Sequence, residues 1–187
     1  FERLMRVADA DPHGRAGGVG EELEFVRRRE GDVDVVLDLL AHHHIPRRIT
    51  HNDTKINNVM IDDATGEGIC VIDLDTVMPG LALYDFGDLC RSGSRPTLED
   101  ERDLSKVEMR QDLFEAIVTG YLTSARDVLN ETEKDHLGFS AKLITFEIGI
   151  RFLTDHLRGD RYFKTHRERH NVDRARVQFK MVESFER

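Results

Sequence analysis

Apolar residues recur at helical spacing along most of the chain. Residues 1–8 (FERLMRVA) read as helix, and Leu23, Phe25 and Val26 give residues 21–29 a thin apolar side. Val33, Val36, Leu37 and Leu40 fall at i, i+3, i+4 and i+7, which predicts a helix over 32–41 with a core-facing stripe. Leu113, Phe114, Ile117 and Tyr121 share one side of 112–121. Thr132-Glu-Lys-Asp135 reads as a variant capping box opening a long helix to about Leu157. That helix has two apolar faces, one through Leu137, Ala141, Ile144, Ile148 and Phe152, the other through Leu143, Phe146, Ile150, Leu153 and Leu157, as burial on both sides requires. Gly159 ends it, and Asn171 is expected to cap a last helix that turns Val172, Ala175, Phe179 and Val182 inward.

Strand character is concentrated in one place. The runs 58–62 and 69–73 are separated by the turn-forming Asp63-Ala-Thr-Gly-Glu-Gly68, which predicts a hairpin. Pairing about Thr65–Gly66 sets Ile69 against Asp62, Val71 against Met60 and Asp73 against Asn58. Val59, Ile61, Cys70 and Ile72 then face the core, while Asn58 and Asp73 offer two oxygens to one hard cation, with Mg²⁺ the natural choice. Asp75 returns to the same side if the chain stays extended. Asp53, on the polar loop feeding the first run, would meet a hydroxyl brought near that metal.

At 187 residues the chain is long enough for one domain with a sizeable core. The net charge of −9 argues against a nucleic-acid surface, which is usually basic. Two cysteines, Cys70 and Cys90, make no disulfide framework, and Cys70 is expected to act as a small mid-strand hydrophobe. No apolar run approaches the roughly 20 residues of a membrane span and no signal sequence is evident, so the expected location is cytoplasmic.

Several motifs invite chemistry and have plainer readings. The glycines of 14–20 follow no strand, so an inter-helix loop is favoured over a phosphate cradle. His42-His-His44 closes a helix, where consecutive side chains diverge, and a dipole role is favoured over a metal site. His51 reads as a structural histidine rather than a base. Asp85, in Tyr-Asp-Phe-Gly, stands at the expected start of a short helix and reads as an N-cap. Cys90-Arg-Ser-Gly-Ser-Arg95 is one residue short of a cysteine phosphatase loop. The run Ile69–Val77 also fits the Asp-x-Asp strand of haloacid-dehalogenase-type phosphohydrolases, with Asp73 as nucleophile and Asp75 as acid/base, but nothing downstream supplies the alternating strands of such a fold.

His51-x-Asp53-x-Lys55-x-x-Asn58, a hairpin and then Asp73 resemble the catalytic loop and metal-binding segment of the protein-kinase-like superfamily. The Asp53–Lys55 interval and V-I-D-L-D-T-V-M-P-G are most similar to its aminoglycoside phosphotransferase and choline kinase branch. T-H-N-D-T-K-I-N-N-V, Y-D-F-G-D, R-F-L-T-D-H-L and H-R-E-R-H-N-V-D-R-A-R resemble the N-acetylhexosamine 1-kinases. The absence of an Ala-Pro-Glu-terminated activation segment separates the chain from protein kinases.

The resemblance implies an α+β, mostly helical C-terminal lobe of a protein-kinase-like fold, with residues 1–187 forming that lobe and the N-terminal ATP-binding lobe absent. It implies transfer of the ATP γ-phosphoryl to a sugar hydroxyl, expectedly the anomeric hydroxyl of an N-acetylhexosamine. Asp53 would act on the acceptor, Lys55 would meet the γ-phosphate, and Asn58 and Asp73 would hold Mg²⁺. Asp75, Arg151 and Tyr162 would line the sugar pocket, and His51 and Asp85 would support the loop. Arg151 stands out as a charge within the apolar 148–153 segment that would need a partner if buried. The alternative from another class is a non-catalytic module that keeps its fold without turning anything over.

Overall fold

A computed structural model describes residues 1–187. Helical periodicity becomes eight α-helices: α1 (Glu2–Ala10), α2 (Gly20–Arg27), α3 (Val35–Ala41), α4 (Ala82–Gly93), α5 (Gln111–Ala125), α6 (Glu131–Asp135), α7 (Leu137–Leu157) and α8 (His170–Phe185). Four strands, β1 (Arg48–Thr50), β2 (Val59–Ile61), β3 (Gly68–Val71) and β4 (Met78–Gly80), form two separate antiparallel pairs, β1 with β4 and β2 with β3. The protein is therefore α+β and mostly helical, and it has no parallel sheet of the kind the phosphohydrolase reading requires. No helix is long and apolar enough to cross a membrane.

The chain forms two compact units. One comprises Phe1–Val35, Pro96–Met109 and Thr145–Arg187, the other Val36–Arg95 and Arg110–Ile144. In the first, Leu4, Val26, Phe146, Leu153, Val172 and Val182 are buried in one core. Phe25 stacks on Phe179 with ring centroids 4.7 Å apart. Gly149 makes room for this, since a Cβ there would lie 2.6 Å from the Phe179 ring. The inward positions of the last helix, Val172, Ala175, Phe179 and Val182, are all buried as the pattern predicts.

In the second unit Leu83, Phe86 and Cys90 bury one face of α4. Gly87 lets α4 approach the start of α7 so closely that a Cβ would fall 2.4 Å from the Ser140 carbonyl oxygen. Phe86 meets Tyr121 of α5 at 5.0 Å between centroids. Burial pushes the Cys90 thiol well above its usual range, so this cysteine is inert packing.

Five local expectations are corrected. Helix α3 begins at Val35 after a 3₁₀ turn, and Leu37 is 49% exposed, so the stripe over 32–41 is only partly core-facing. The capping box is Asn130 with Glu133, two residues before the expected Thr132; it opens only the short α6, and α7 starts separately at Leu137. Residue Asn171 is no cap. Arg169 takes that position in a left-handed conformation, while Asn171 is fully buried and donates to Asp155 and Asp160. Asp85 lies inside the first turn of α4, whose N-cap is Leu81.

The fifth concerns the hairpin. Asp62 Oδ1 accepts from the amides of Ala64 and Thr65, and Gly66 takes φ +72°, which makes the turn tighter than the spacing suggested. The register is Val59 to Val71, Met60 to Cys70 and, across an irregularity, Ile61 to Gly68. It runs one residue short of expectation, so Asn58 and Asp73 are not cross-strand partners. Nor does the hairpin bury a face: Ile61, Cys70 and Ile72, expected in the core, are exposed, as are Met60, Ile69 and Val71.

Candidate functional site

Strand β1 delivers the chain into a polar loop, residues 51–58, that lies wholly within the second unit. Asn52 adopts φ +63°, a conformation that asparagine tolerates and most residues avoid, so the backbone reverses sharply between His51 and Asp53. Asp85 holds this reversal from α4. Its Oδ2 accepts from the His51 amide at 2.8 Å and its Oδ1 from the Asn52 amide at 2.7 Å. The Thr54 hydroxyl donates to the Asp85 carbonyl, and the Ile56 amide donates to Ser92 Oγ at 2.9 Å, so α4 grips both ends of the loop.

Within that frame Asp53, Lys55 and Asn58 converge. Lys55 Nζ donates to Asp53 Oδ2 at 2.6 Å, and Asn58 Nδ2 donates to the same oxygen at 2.9 Å and to the Asp53 carbonyl at 2.8 Å. Asn58 is buried at the end of a 3₁₀ turn rather than on a strand. Partial burial pushes the Asp53 carboxyl up, but the hydrogen bonds from Lys55 and Asn58 and the Lys55 charge outweigh it and hold the group below the ordinary carboxylate range. Asp53 is thus an ionised acceptor with its second oxygen, Oδ1, outside these bonds.

His51 is spent on structure. The Asp53 amide donates to His51 Nδ1 at 3.3 Å, and His51 Nε2 lies 3.0 Å from the Ile72 carbonyl, which can only accept. That assignment puts the proton on Nε2 and leaves no free lone pair for a base.

Asp73 stands just past β3 with φ 63° and ψ 54°, a left-handed residue opening the 3₁₀ turn Leu74–Thr76. The amide before it, Ile72 N, donates to the Asn58 carbonyl at 2.9 Å, so Asp73 follows directly on the residue bonded to Asn58. The Asp73 and Asp75 side chains are both exposed. Two left-handed non-glycine residues, Asn52 and Asp73, in one small region mark local strain of the sort that accumulates at functional sites.

No group of three or more His, Cys, Asp or Glu side chains is gathered to hold a metal by itself. The two donors expected from the sequence are the Asp73 carboxylate and the Asn58 side-chain carbonyl, whose amide nitrogen is committed to Asp53; the observed register does not pair these two residues. One carboxylate with one amide oxygen is the sparse, hard donor set that suits Mg²⁺ sharing its shell with phosphate oxygens and water.

The other expected pocket residues lie in the first unit. Arg151 is exposed rather than embedded in apolar surroundings. It sits 3.9 Å from Glu147, with its guanidinium 5.9 Å from the Tyr162 ring centroid and 5.8 Å from that of Phe163. Tyr162 is 73% exposed. Beneath it, the buried Asp155 accepts from the amides of Arg161, Tyr162 and Phe163 at 2.9–3.0 Å and so fixes the loop that presents the ring. Sequence reasoning missed Asp155, Ser92, Thr76 and Asn52. The partners of Ser92 and Thr76 are remote in sequence, those of Asp155 lie in the irregular loop that follows its helix, and only Asn52, inside the His51–Asp53 motif, carried a positional signal.

Residues 3–107, more than half of the chain, match the model of the phosphotransferase enzyme family. That span includes the whole of the braced loop, the α4 residues that grip it and the hairpin. The chain belongs to the phosphotransferase enzyme family, of the aminoglycoside phosphotransferase type.

Proposed function

We propose that the chain is the acceptor-binding and catalytic lobe of an ATP-dependent small-molecule kinase whose acceptor is a sugar, the anomeric hydroxyl of an N-acetylhexosamine. The observation that carries this reading is Asp53, held ionised by Lys55 and Asn58 on a loop clamped from both ends, in a chain of a phosphotransferase family. Asp53 takes the proton of the acceptor hydroxyl as its oxygen bonds to the γ-phosphorus; the bond to the β–γ bridging oxygen breaks and ADP leaves. Lys55, one ammonium away from the carboxylate, is placed to exchange that partner for a phosphate oxygen. Asn58 and Asp73 would hold Mg²⁺, which supplies neutralisation of phosphate charge. Asp75 would accept from an acceptor hydroxyl; as a separate feature of the first unit, Arg151 and Tyr162 offer a cation and an aromatic face of the kind that suits a sugar.

Support for a second, ATP-holding lobe comes from the surface. Exposed large apolar residues crowd into 49–78, among them Ile49 at 72%, Ile69 at 61%, Leu74 at 59% and Val71 at 53%. We read these exposed apolar side chains as surface that an ATP-holding lobe would cover. ADP release from ATP and Mg²⁺ with a panel of free N-acetylhexosamines, other hexoses and aminoglycosides tests the reading, on the 187-residue chain and on an N-terminally extended one. Sugar-dependent ADP release by the extended form supports it; ADP release only with aminoglycosides, or none from either form, overturns it. Activity confined to the extended form makes the 187-residue chain a non-catalytic module as it stands.

The Lys55–Asp53 pair makes a pH prediction. Because the folded carboxyl is depressed, the stability it contributes is full above the unfolded carboxylate value and lost as pH falls through the lower folded one. Lys55→Met removes the ammonium and one hydrogen bond while leaving the burial that pushes the group up. The acid limb of kcat/KM against pH is expected to move to higher pH, on top of any loss of rate. An acid limb that stays in place or moves lower would show that Asp53 is not the titrating base.

A further inference from the structure

Proton transfer and phosphate handling give no part to Asn52, in the middle of the loop. Its side chain is the most heavily bonded in the region. Nδ2 donates to the Thr76 carbonyl at 2.9 Å and the Thr50 carbonyl at 3.1 Å, with the Met78 carbonyl at 3.4 Å, while Oδ1 accepts from Thr50 Oγ1 at 2.9 Å. A primary amide has two N–H groups, so the two shorter contacts are the bonds and the longer one shares a hydrogen. Space is reserved for this amide: a Cβ on Gly80 would sit 2.5 Å from Asn52 Oδ1 and 2.2 Å from Thr50 Oγ1.

Bonds from His51 and Asn52 together land on both sides of the Asp73 turn. Thr76 is held twice, by Asn52 Nδ2 through its carbonyl and by its own hydroxyl donating to the His51 carbonyl at 2.6 Å. Ile72 is held by His51 Nε2. Between these tethers lie Asp73 and Asp75, exposed, with Asp73 in a left-handed conformation that a free chain would seldom adopt.

We propose that Asn52 is a positioning residue that sets the Asp73 carboxylate for a divalent cation by fastening the 73–76 turn to the loop carrying Asp53. The inference rests on the reading of Asp73 as a cation ligand. A ligand carboxylate on an untethered exposed turn would have to be ordered each time the metal binds, and that ordering weakens binding. Asn52 combines two properties, tolerance of positive φ and a side-chain amide, that can be separated. Glycine at 52 keeps the first and loses the second.

The test measures Mn²⁺ binding, in place of Mg²⁺, by the EPR signal of the free ion, with and without a non-hydrolysable ATP analogue. The proteins are the wild type, Asn52→Gly, Thr76→Val and Asp73→Asn, with circular dichroism of each as a control on folding. Removal of residues that orient metal ligands typically costs about 10–100-fold in affinity. Asn52→Gly is expected to weaken Mn²⁺ binding by about tenfold or more with helical content unchanged, and Thr76→Val to weaken it in the same direction. Asp73→Asn weakening Mn²⁺ binding while Asn52→Gly leaves it within twofold would overturn the role of Asn52 alone. Unchanged binding in Asp73→Asn would defeat the underlying metal reading and the inference with it.

Discussion

Replacing Asp53 by asparagine is expected to lower kcat by about 10²–10⁴-fold, the usual worth of a positioned general base, while changing acceptor binding little. The substitution is close to isosteric, and its carbonyl oxygen can still accept from Lys55 and Asn58, which now donate at 2.6 and 2.9 Å. What it cannot do is take a proton near neutral pH. Loss confined to kcat is the signature of an interaction made in the transition state, whereas a rise in KM alone would place Asp53 in substrate binding. A variant retaining more than half of the wild-type kcat would remove Asp53 from proton transfer, and His51 offers no substitute because both its nitrogens are engaged.

The second large effect is on folding and originates far from the loop in sequence. Glu133 is 1% exposed and accepts from Arg48 Nε at 2.9 Å, from Arg48 Nη2 at 2.6 Å and from the Asn130 amide at 2.9 Å. It is at once half of a bidentate ion pair and half of a capping box. Breaking a buried pair from one side costs about 3–5 kcal/mol. Because the Arg48 side chain keeps 23% of its exposure, we expect Glu133→Ala to destabilise by about 2–4 kcal/mol, read from the midpoint of urea unfolding at unchanged slope. Arg48 lies on β1, two residues before Thr50, so activity should fall as the strand loosens. A double substitution, Arg48→Met with Glu133→Leu, is expected to recover most of the stability, since a well-packed apolar pair can replace a buried ionic one. A Glu133→Ala protein as stable as the parent would mean that α6 does not anchor β1.

Long periodic stretches were the legible part of the fold. The apolar faces of α7 and α8 and the buried side of α2 follow from spacing alone, because each helix buries a continuous stripe. Short elements were opaque for physical reasons. Strands β1 and β4 are three residues each, too short to show alternation, and they join through Arg48–Gly80 and Thr50–Met78 pairings that no local pattern announces. The hairpin was visible but its register was not, since Asp62 folds the turn onto its own following amides and shifts the pairing by one residue. Asn58 looked like the start of a strand and ends a 3₁₀ turn. At the site, the grouping of Asp53, Lys55 and Asn58 was legible as a spacing. The clamps on it, Asp85 to the His51 and Asn52 amides and Ser92 to the Ile56 amide, depend on α4 folding back over the loop and have no signature in either segment alone.

The contacts around the hairpin are nested one inside another, and this bears on how the region assembles. The Asp62 turn closes within itself. Next outward come the β2–β3 rungs and the bond from Ile72 to Asn58, then His51 to Ile72 and Asn52 to Thr76, and outermost the rungs from Thr50 to Met78 and Arg48 to Gly80. Once an inner contact exists, the next one out closes only a few additional residues, so no step requires the full entropy of joining distant chain segments. A lone two-stranded hairpin is only marginally stable in water, and this one has both faces wet, so the inner rungs persist only after the outer ties and the clamp from α4 have formed. The segment bearing Asp53 and Asp73 can therefore zip outward from its tip, yet it becomes rigid only when the last tie is made.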